Sequence, residues 1–319
     1  MRFHRFAVLL TALSSSLHAA YDQHPRFDEF AAELASEYNI DADYARQWLA
    51  QTTRQESVLT AIQRPAERTL EWKDYRKIFL TDARIRGGKQ FLNDFKTELD
   101  AAEKQYGVDK EIIAAIIGVE TFYGQRMGTH RVLDALATLA FDYPQRPLFW
   151  RELKALFALA DKEQLDIATL RGSYAGAMGY GQFIPTSYLA YAVDGDGDGR
   201  RDLLTNPHDA IASVANYFKR HGWRTGEPVV QRVRVKGEAY QDVVNDSLRP
   251  KWTVTELMAL GVTPTNKEGD SNRPASLVRL QGEHGAEFWL AEQNFYVITR
   301  YNHSRLYAMA VYQLSNALR

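Results

Sequence analysis

The segment Glu111–Gly124 ends an almost wholly apolar run with a carboxylate. Every residue from Ile112 to Val119 is apolar or glycine, which predicts a helix buried on nearly all of its faces. Glu120 follows directly, between two glycines that let another group approach the backbone closely. Burial disfavours an ionised carboxylate, so we expect a raised pKa for Glu120, which suits a general acid. A glutamate paired with an arginine is the structural alternative, and this segment alone does not separate the two.

Residues 1–20 have the pattern of a secretory signal peptide. A basic start precedes the apolar run Phe6–Leu13, and small residues follow at Ala19 and Ala20. The run is too short to span a bilayer, and no later stretch approaches the ~20 apolar residues that spanning needs. The sequence contains no cysteine, so we expect no disulfides, thiolate chemistry or lipid anchor on a cysteine. The chain is therefore predicted to be a soluble periplasmic protein without a transmembrane anchor.

Charge and motif content argue against several classes of function. The 39 Lys+Arg residues balance 40 Asp+Glu residues, which leaves no net field to attract nucleic acid or acidic membranes. None of the eight histidines forms a His-Glu-x-x-His pair, so a zinc peptidase is disfavoured. Gly172–Gly176 is not a nucleophile elbow, because its first glycine lies one place before Ser173 rather than two.

Hydrophobic periodicity predicts a mainly α (α+β) fold. Residues 21–107 have helical spacing, with a turn at Asn39–Asp41, a break at Arg64–Glu67 and a loop at Gly87–Gly88. Asp109 is expected to be the N-cap of the Glu120 helix. The chain then divides into a signal peptide (1–20), an N-terminal helical domain (21–107), a helical core (108–224), a small β-rich subdomain (225–290) and a helical return (291–319).

Within this order, helices are predicted at Val132–Ala140 and Phe149–Ala160. The glycines and polar residues of Gly172–Tyr188 instead predict a loop that lines a binding site. Alternation of apolar and charged residues predicts a strand near 229–236, and two more strands flank a turn at Gly282–Gly285. Thr253–Glu256 has the pattern of a capping box.

The segment Asp194–Asp202 matches the first half of an EF-hand calcium loop. It places carboxylates at loop positions one, three, five and nine, and a glycine at position six. Crowded carboxylates repel one another unless a cation neutralises them. Thr205 stands at position twelve in place of a bidentate glutamate, so Asp202 or Asp209 must supply the last ligand. A solvated acidic turn is the structural alternative.

Four motifs in order resemble the lytic transglycosylase B family: Gly118–Gly124, Gly176–Pro185, the Asp194 loop and Ile298–Asn302. The resemblance extends over essentially the whole mature chain. It implies a lysozyme-like helical catalytic core, an N-terminal helical domain and a small inserted β-rich subdomain. It also implies cleavage of peptidoglycan between N-acetylmuramic acid and N-acetylglucosamine without water, which leaves a 1,6-anhydromuramic end. The absence of a lipid-anchor cysteine departs from the membrane-bound members.

The resemblance also assigns roles to residues of this chain. Glu120 is the single catalytic residue, first as acid and then as base, and Ser173 is expected to form a hydrogen bond with it. The glycan cleft is implied to contain Ser173, Gln182, Tyr217, Tyr301, Asn302 and Tyr307. A structural calcium ion is implied to bind Asp194, Asp196, Asp198, the carbonyl of Arg200 and Asp209, although the loop is one residue longer here than the family pattern.

Two other functions compete with this interpretation. A hydrolytic muramidase would share Glu120 but would need a second carboxylate, and Asp142 is the candidate that lies in the same block of sequence. A non-catalytic peptidoglycan-binding protein would keep the cleft without the chemistry. The expected partners are peptidoglycan strands, with complexes of cell-wall enzymes as a further possibility.

Overall fold

The computed structural model describes residues 20–63, 69–266 and 272–319. The predicted signal peptide, apart from Ala20, and the predicted break at Arg64–Glu67 lie outside the described residues. The described helices are α1 Phe27–Tyr38, α2 Ala42–Leu49, α3 Glu56–Ala61, α4 Trp72–Phe79, α5 Asp82–Asp94, α6 Lys96–Tyr106, α7 Lys110–Thr121, α8 Val132–Asp142, α9 Leu148–Lys162, α10 Pro185–Tyr191, α11 Pro207–Arg220, α12 Val254–Ala259, α13 Gln293–Tyr301 and α14 Arg305–Leu318.

The described strands are β1 His130–Arg131, β2 Arg171–Gly172, β3 Val230–Val235, β4 Trp252–Thr253, β5 Val262–Pro264, β6 Pro274–Gly282 and β7 Gly285–Ala291. Short 3₁₀ helices lie at Tyr21–Gln23 and Ala239–Asp242. Helices far outnumber strands, in agreement with the predicted mainly α class.

Helix α7 is the centre of the fold. Each side chain from Ile112 to Ile117 is at most 1% exposed, as the apolar run predicts. The helix packs against α5, α6, α11 and the last helix of the chain, α14. Asp109 is its N-cap residue, as predicted, although its carboxylate makes no capping hydrogen bond and pairs with Arg319 at 2.6 Å.

The prediction of a loop at Gly87–Gly88 is wrong, because both glycines lie inside α5. Their role is to let the ring of Tyr123 lie against the helix. A Cβ on Gly88 would come within 2.5 Å of Leu318 Cδ2 and still closer to the Tyr123 hydroxyl. The two glycines therefore allow close packing between elements and do not form a turn.

The first helices pack onto the core that carries α8 and α9. Lys154, on α9, is only 4% exposed, and its ammonium donates to Glu33 at 2.6 Å and to Glu37. The turn predicted at Asn39–Asp41 is confirmed: Asn39 adopts a left-handed conformation and Asp41 caps α2 by accepting from the Asp43 N–H at 2.7 Å.

A five-stranded sheet in the order β4-β6-β7-β3-β5 forms the β-rich part of the chain, and its paired strands are antiparallel. The predicted hairpin is confirmed, with Gly282 opposite Gly285 at its turn. The capping box at Thr253 is also confirmed and begins α12. A small separate core supports the sheet, with Val233, Val243, Val254, Leu257, Val262, Ala275, Leu277 and Leu290 as its buried residues.

Among the helices in the described part of the chain, none has both the length and the apolar character that crossing a membrane requires.

Candidate active site

Glu120 lies in the last turn of α7, where the chain leaves the core. Phe122, Tyr123 and Gly124 follow with φ values of 52°, 60° and 87°, so three successive residues adopt the left-handed conformation. Such conformations are unfavourable for residues with a side chain, and here backbone bonds hold them: the Phe122 N–H donates to Gly118 O at 3.1 Å. The sharp turn ends the helix directly beyond the carboxylate.

Buried polar contacts fix the end of this helix. Arg84, from α5, is 7% exposed and donates from Nε to Gly118 O at 3.0 Å. Thr121 donates from Oγ1 to Tyr180 O at 2.8 Å, which joins the helix to the glycine-rich loop. The position of Glu120 is therefore set by two neighbouring elements as well as by its own helix.

Tyr307 contacts Glu120 directly. Its hydroxyl, carried by α14, donates to Glu120 Oε1 at 2.5 Å, and the residue is 2% exposed. Burial, together with the nearby charge of Glu120, raises the pKa of Tyr307 well above its usual value. The phenol therefore keeps its proton and remains a hydrogen-bond donor to Glu120.

Tyr301 and Tyr217 form an aromatic layer beside this pair. The Tyr301 hydroxyl donates to Gly181 O at 2.5 Å, so it holds the glycine-rich loop. Tyr217 lies edge-on to Tyr301 with ring centroids 4.8 Å apart, and its hydroxyl donates to Arg300 O at 2.5 Å. Burial raises the pKa values of both phenols above their usual range.

The glycine-rich loop makes its hydrogen bonds mostly with backbone groups. Ser173 Oγ accepts from the N–H groups of Ala175 and Ala177, at 3.3 and 3.1 Å. Gln182 adopts φ 49° and donates from Nε2 to Met127 O at 3.1 Å and to Gly179 O at 3.0 Å. The direct bond expected between Ser173 and Glu120 stays a prediction.

A cavity of about 460 Å³ brings five of the predicted site residues together: Glu120, Ser173, Gln182, Tyr301 and Asn302. Tyr307 lies behind Glu120 and contacts it, while Tyr217 packs behind Tyr301 and contacts the cavity wall rather than Glu120. Tyr217 thus contacts a residue that lines the cavity, and its own role in binding glycan stays a prediction. It is buried, and it supports a residue of the cleft.

The acidic loop gathers three carboxylates at one point. One oxygen each of Asp194, Asp196 and Asp209 lies within 4.8 Å of the others, although Asp209 is completely buried. Asp209 also accepts from the backbone N–H groups of Gly195 and Asp202, at 2.7 and 2.6 Å. The Asp202 side chain accepts from Leu204 and Thr205 in its own turn, so the geometry favours Asp209 as the last ligand.

Asp198 and Arg200 lie in the same loop but outside this group of three. Asp198 Oδ1 accepts from the Arg200 N–H at 2.8 Å. The three gathered carboxylates fit a hard cation such as Ca²⁺, which takes oxygen ligands. Their mutual repulsion would otherwise oppose the observed geometry.

Comparison with known proteins identifies the family of the chain. The family described as "Transglycosylase SLT domain" matches residues 22–316. Membrane-bound lytic murein transglycosylase B of Escherichia coli (strain K12) is 42% identical over 308 residues, which cover 93% of this chain and 84% of that protein. The chain belongs to the lytic transglycosylase B family.

Solved structures agree with this assignment. Catenated lytic transglycosylase SltB1 from Pseudomonas aeruginosa is 47% identical with a TM-score of 0.88, over 93% of this chain and 98% of that one. Slt35 from Escherichia coli, in complex with calcium, is 42% identical with a TM-score of 0.84, over 93% and 94%. SltB3 from Pseudomonas aeruginosa, in complex with NAG-anhNAM-pentapeptide, is 32% identical with a TM-score of 0.78, over 92% and 78%. The predicted family and lysozyme-like fold class are confirmed.

This lytic transglycosylase has a second carboxylate at its cavity that the sequence argument missed. Glu152, on α9, lines the same cavity as Glu120, is 0% exposed, and has its pKa raised by burial. Its two oxygens accept from the Thr186 N–H at 2.9 Å and the Thr186 hydroxyl at 2.7 Å. The spacing of Glu152 from Phe149 and Leu156 places it on the apolar face of a helix, a signal that could have revealed it.

Asp142, the candidate second acid, is elsewhere. Its Oδ2 accepts from Tyr21 and from Arg54 Nε, the latter at 2.8 Å, and it does not line the cavity of Glu120. Its contacts join the start of the described chain to the end of α8, which is a structural role.

Proposed function

We propose that Glu120 alone supplies the acid and the base for non-hydrolytic cleavage of the β-1,4 bond between N-acetylmuramic acid and N-acetylglucosamine in peptidoglycan. The protonated carboxylic acid gives its proton to the glycosidic oxygen as the bond to C1 breaks. The resulting carboxylate then takes the proton of the muramic C6 hydroxyl as O6 closes on C1. One proton leaves the residue and one returns, so no water is consumed.

The observation that carries this proposal is the setting of Glu120 within its cavity. The carboxylate borders the cavity, and Tyr307 holds Oε1 from behind at 2.5 Å. A donor fixed at one oxygen orients the carboxyl group and stabilises its ionised form, which is the form that must act as base. The same residue can therefore serve both half-reactions without moving.

A hydrolytic muramidase is the alternative, because Glu152 borders the same cavity. A retaining hydrolase places its two carboxyl groups about 5–5.5 Å apart with one free to attack, and an inverting one leaves room for a water between them. Both oxygens of Glu152 instead accept bonds from Thr186 at the start of α10. This arrangement supports a structural role for Glu152, which favours the transglycosylase.

The matched variants Glu120→Gln and Glu152→Gln test the assignment, since both remove a charge from the same cavity with little change of shape. We expect Glu120→Gln to lower the release of anhydromuropeptides from sacculi by about 10²–10⁴-fold, the usual contribution of acid–base catalysis. Glu152→Gln should still yield anhydro products. Mass spectrometry distinguishes these from reducing ends by one water, and predominantly reducing ends from the unmodified protein would overturn the proposal.

The acidic loop is proposed to bind a structural calcium ion through Asp194, Asp196 and Asp209, with Asp198 and the Arg200 carbonyl as further ligands. The gathered carboxylates support this, and the relative Slt35 was solved in complex with calcium. The ion would stabilise the start of α11, which follows the loop. It would have no part in the chemistry at Glu120.

The site of action is proposed to be the periplasm, where peptidoglycan lies. The signal-like pattern of residues 1–20 supports export, and the binding of peptidoglycan fragments by the relative SltB3 supports the substrate. Complexes with other cell-wall enzymes stay a prediction.

A further inference from the structure

Tyr188, on α10, carries a hydroxyl that is buried in the core and makes two hydrogen bonds. The residue is 0% exposed. Its hydroxyl donates to Arg201 O at 2.5 Å and accepts from the Leu203 N–H at 2.9 Å. Burial raises the pKa of this phenol above its usual value, so it keeps the proton that it donates. One side chain therefore fixes the backbone from Arg201 to Leu203, where the chain leaves the acidic loop.

Leu203 passes this constraint to the glycine-rich loop. Its carbonyl oxygen accepts from the Tyr180 N–H at 3.1 Å. Gly179, the residue before Tyr180, has φ 69° and lies so close to Leu203 O that a Cβ at this position would overlap that oxygen. The glycine-rich loop is thus held directly against the backbone that Tyr188 fixes.

Tyr180 is held on its other side by the end of the catalytic helix. Its carbonyl oxygen accepts from Thr121 Oγ1 at 2.8 Å, and Thr121 follows Glu120 directly in the chain. The Tyr180 backbone therefore lies between Leu203 and the last turn of α7. A shift of Leu203 would be felt at the contact beside Glu120.

Helix α10 is itself anchored, so the Tyr188 hydroxyl has a fixed origin. Thr186, in the first turn of α10, donates from its N–H and its hydroxyl to Glu152 at 2.9 and 2.7 Å. Glu152 lies on α9 and lines the cavity that contains Glu120. The hydrogen bonds of Glu152, Thr186 and Tyr188 therefore run from one wall of the cavity to the loop that forms another.

We propose that the Tyr188 hydroxyl is a positioning group for glycan cleavage, because it fixes the Leu203 carbonyl that holds the glycine-rich loop against the end of α7. The inference rests on the proposed function, in which Glu120 protonates a glycan bound in this cavity. Gln182 belongs to the loop and lines the cavity with Glu120, so a displaced loop would move the bound glycan relative to the acid. A misplacement of about 1 Å between reacting groups can lower a rate about 100-fold.

Tyr188→Phe removes the hydroxyl and keeps the ring, and Tyr123→Phe is its matched control. Tyr123 is also buried, at 8% exposed, but its hydroxyl has no hydrogen-bond partner among the described residues. Both variants are assayed on glycan strands that carry their peptide stems, with calcium present, at a temperature where circular dichroism shows them to be folded.

We expect Tyr188→Phe to lower kcat for the formation of anhydro ends by about tenfold, because the glycan is no longer held in register with Glu120. KM should stay within about twofold of the unmodified value, since the other walls of the cavity are unchanged. Tyr123→Phe should keep both constants. An unchanged kcat in folded Tyr188→Phe, or an equal loss of kcat in the control, would overturn the inference.

Hydrogen exchange separates a displaced loop from a generally weakened fold. The amides of residues 176–184 should exchange faster in Tyr188→Phe by a larger factor than those of α8, because only the loop loses its anchor. Equal acceleration in the two segments would indicate a purely structural role for Tyr188 and would contradict the proposal.

Gly179→Ala tests the same contact from the side of the loop, and it keeps the inference testable if Tyr188→Phe does not fold. The added Cβ would overlap Leu203 O, so this variant should lower kcat in the same way with Tyr188 intact. A folded Gly179→Ala with the unmodified kcat would contradict the inference. Failure of the proposed function has a different signature: reducing ends from the unmodified protein, or full activity in Glu120→Gln.

Discussion

The hydrogen bond between Tyr307 and Glu120 joins residues 187 positions apart at the centre of the site. Tyr307 is almost completely buried, and its raised pKa keeps the hydroxyl protonated. The donor therefore favours the carboxylate form of Glu120 over the acid form. This bond should set the pH at which Glu120 changes from acid to base.

We expect Tyr307→Phe to move the alkaline limb of the pH–rate profile upward by about one to two units. A hydrogen bond to a charged group contributes about 1.5–3 kcal/mol, and one pKa unit corresponds to about 1.36 kcal/mol. Loss of the donor destabilises the carboxylate, so the catalytic acid keeps its proton to higher pH. The profile of kcat/KM on stem-bearing strands measures the limb.

Tyr312→Phe is the control for this variant, since Tyr312 lies on the same helix and does not line the catalytic cavity. It should leave the profile in place. An equal displacement in both variants, or a downward displacement in Tyr307→Phe, would contradict the role given to Tyr307.

The position of a lone carboxylate at the end of an apolar run predicted Glu120, and the family resemblance implied Ser173, Gln182, Tyr301 and Asn302; the structure brings all five to one cavity. The hydrogen bond from Tyr307 to Glu120 could not be predicted from the sequence, because it depends on how α14 packs on α7. Glu152 was missed for a similar reason, since a glutamate in a helix has no motif of its own and only its place on the apolar face distinguishes it. Sequence patterns identify the groups, whereas tertiary packing decides which atoms meet.

At the scale of elements, the packing of α5 on the end of α7 depends on glycines. Tyr123 lies between the two helices, and a Cβ on Gly118 would come within 2.6 Å of its ring. Gly87–Gly88 was predicted as a loop because glycine commonly marks turns. In this chain the two glycines lie inside a helix, and their lack of a side chain leaves room for the ring of Tyr123. Local sequence does not distinguish this role from that of a glycine in a turn.

We expect Gly88→Ala to lower the free energy of unfolding by up to about 2 kcal/mol. Alanine favours the helix by about 1 kcal/mol, but overpacking typically costs about 1–3 kcal/mol, and Tyr123, 8% exposed, has little room to move. Gly87→Ala is the matched control, since its Cβ would lie 3.2 Å from Tyr123 Cδ2. Urea denaturation of both should show the loss in Gly88→Ala alone, and a stabilised Gly88→Ala would contradict this packing argument.

The acidic loop gives a second prediction at this scale. Calcium that binds only the native state should stabilise it by about 2.7 kcal/mol at a free concentration one hundred times Kd. The melting temperature should therefore be several degrees higher with calcium than with a chelator, and Asp209→Asn should remove most of this difference. Asp43→Asn, at an exposed position of α2, should keep it. An unchanged melting temperature on chelation would argue that the loop binds no ion of consequence.

At the scale of the whole molecule, the C-terminal end of the chain packs against the central helix α7. The last helix, α14, packs on α7 and carries Tyr307 to Glu120, although the sheet of residues 230–291 lies between them in sequence. Along the chain, helices are followed by strands and then by two further helices, and changes of hydrophobic period in the sequence mark these transitions locally. The exact domain limits stay a prediction.

Two kinds of contact hold this last helix, and their energies should differ. Leu314 is 0% exposed, whereas Arg319 pairs with Asp109 through side chains that are 50% and 38% exposed. We expect Leu314→Ala to lower the free energy of unfolding by about 2–5 kcal/mol through lost burial and a cavity. Arg319→Ala should lower it by less than about 1 kcal/mol, because exposed ion pairs are screened by water. Chemical denaturation of both variants measures the difference. An equal loss in the two would contradict this, because it would mean that the exposed ion pair stabilises the last helix as much as apolar burial does.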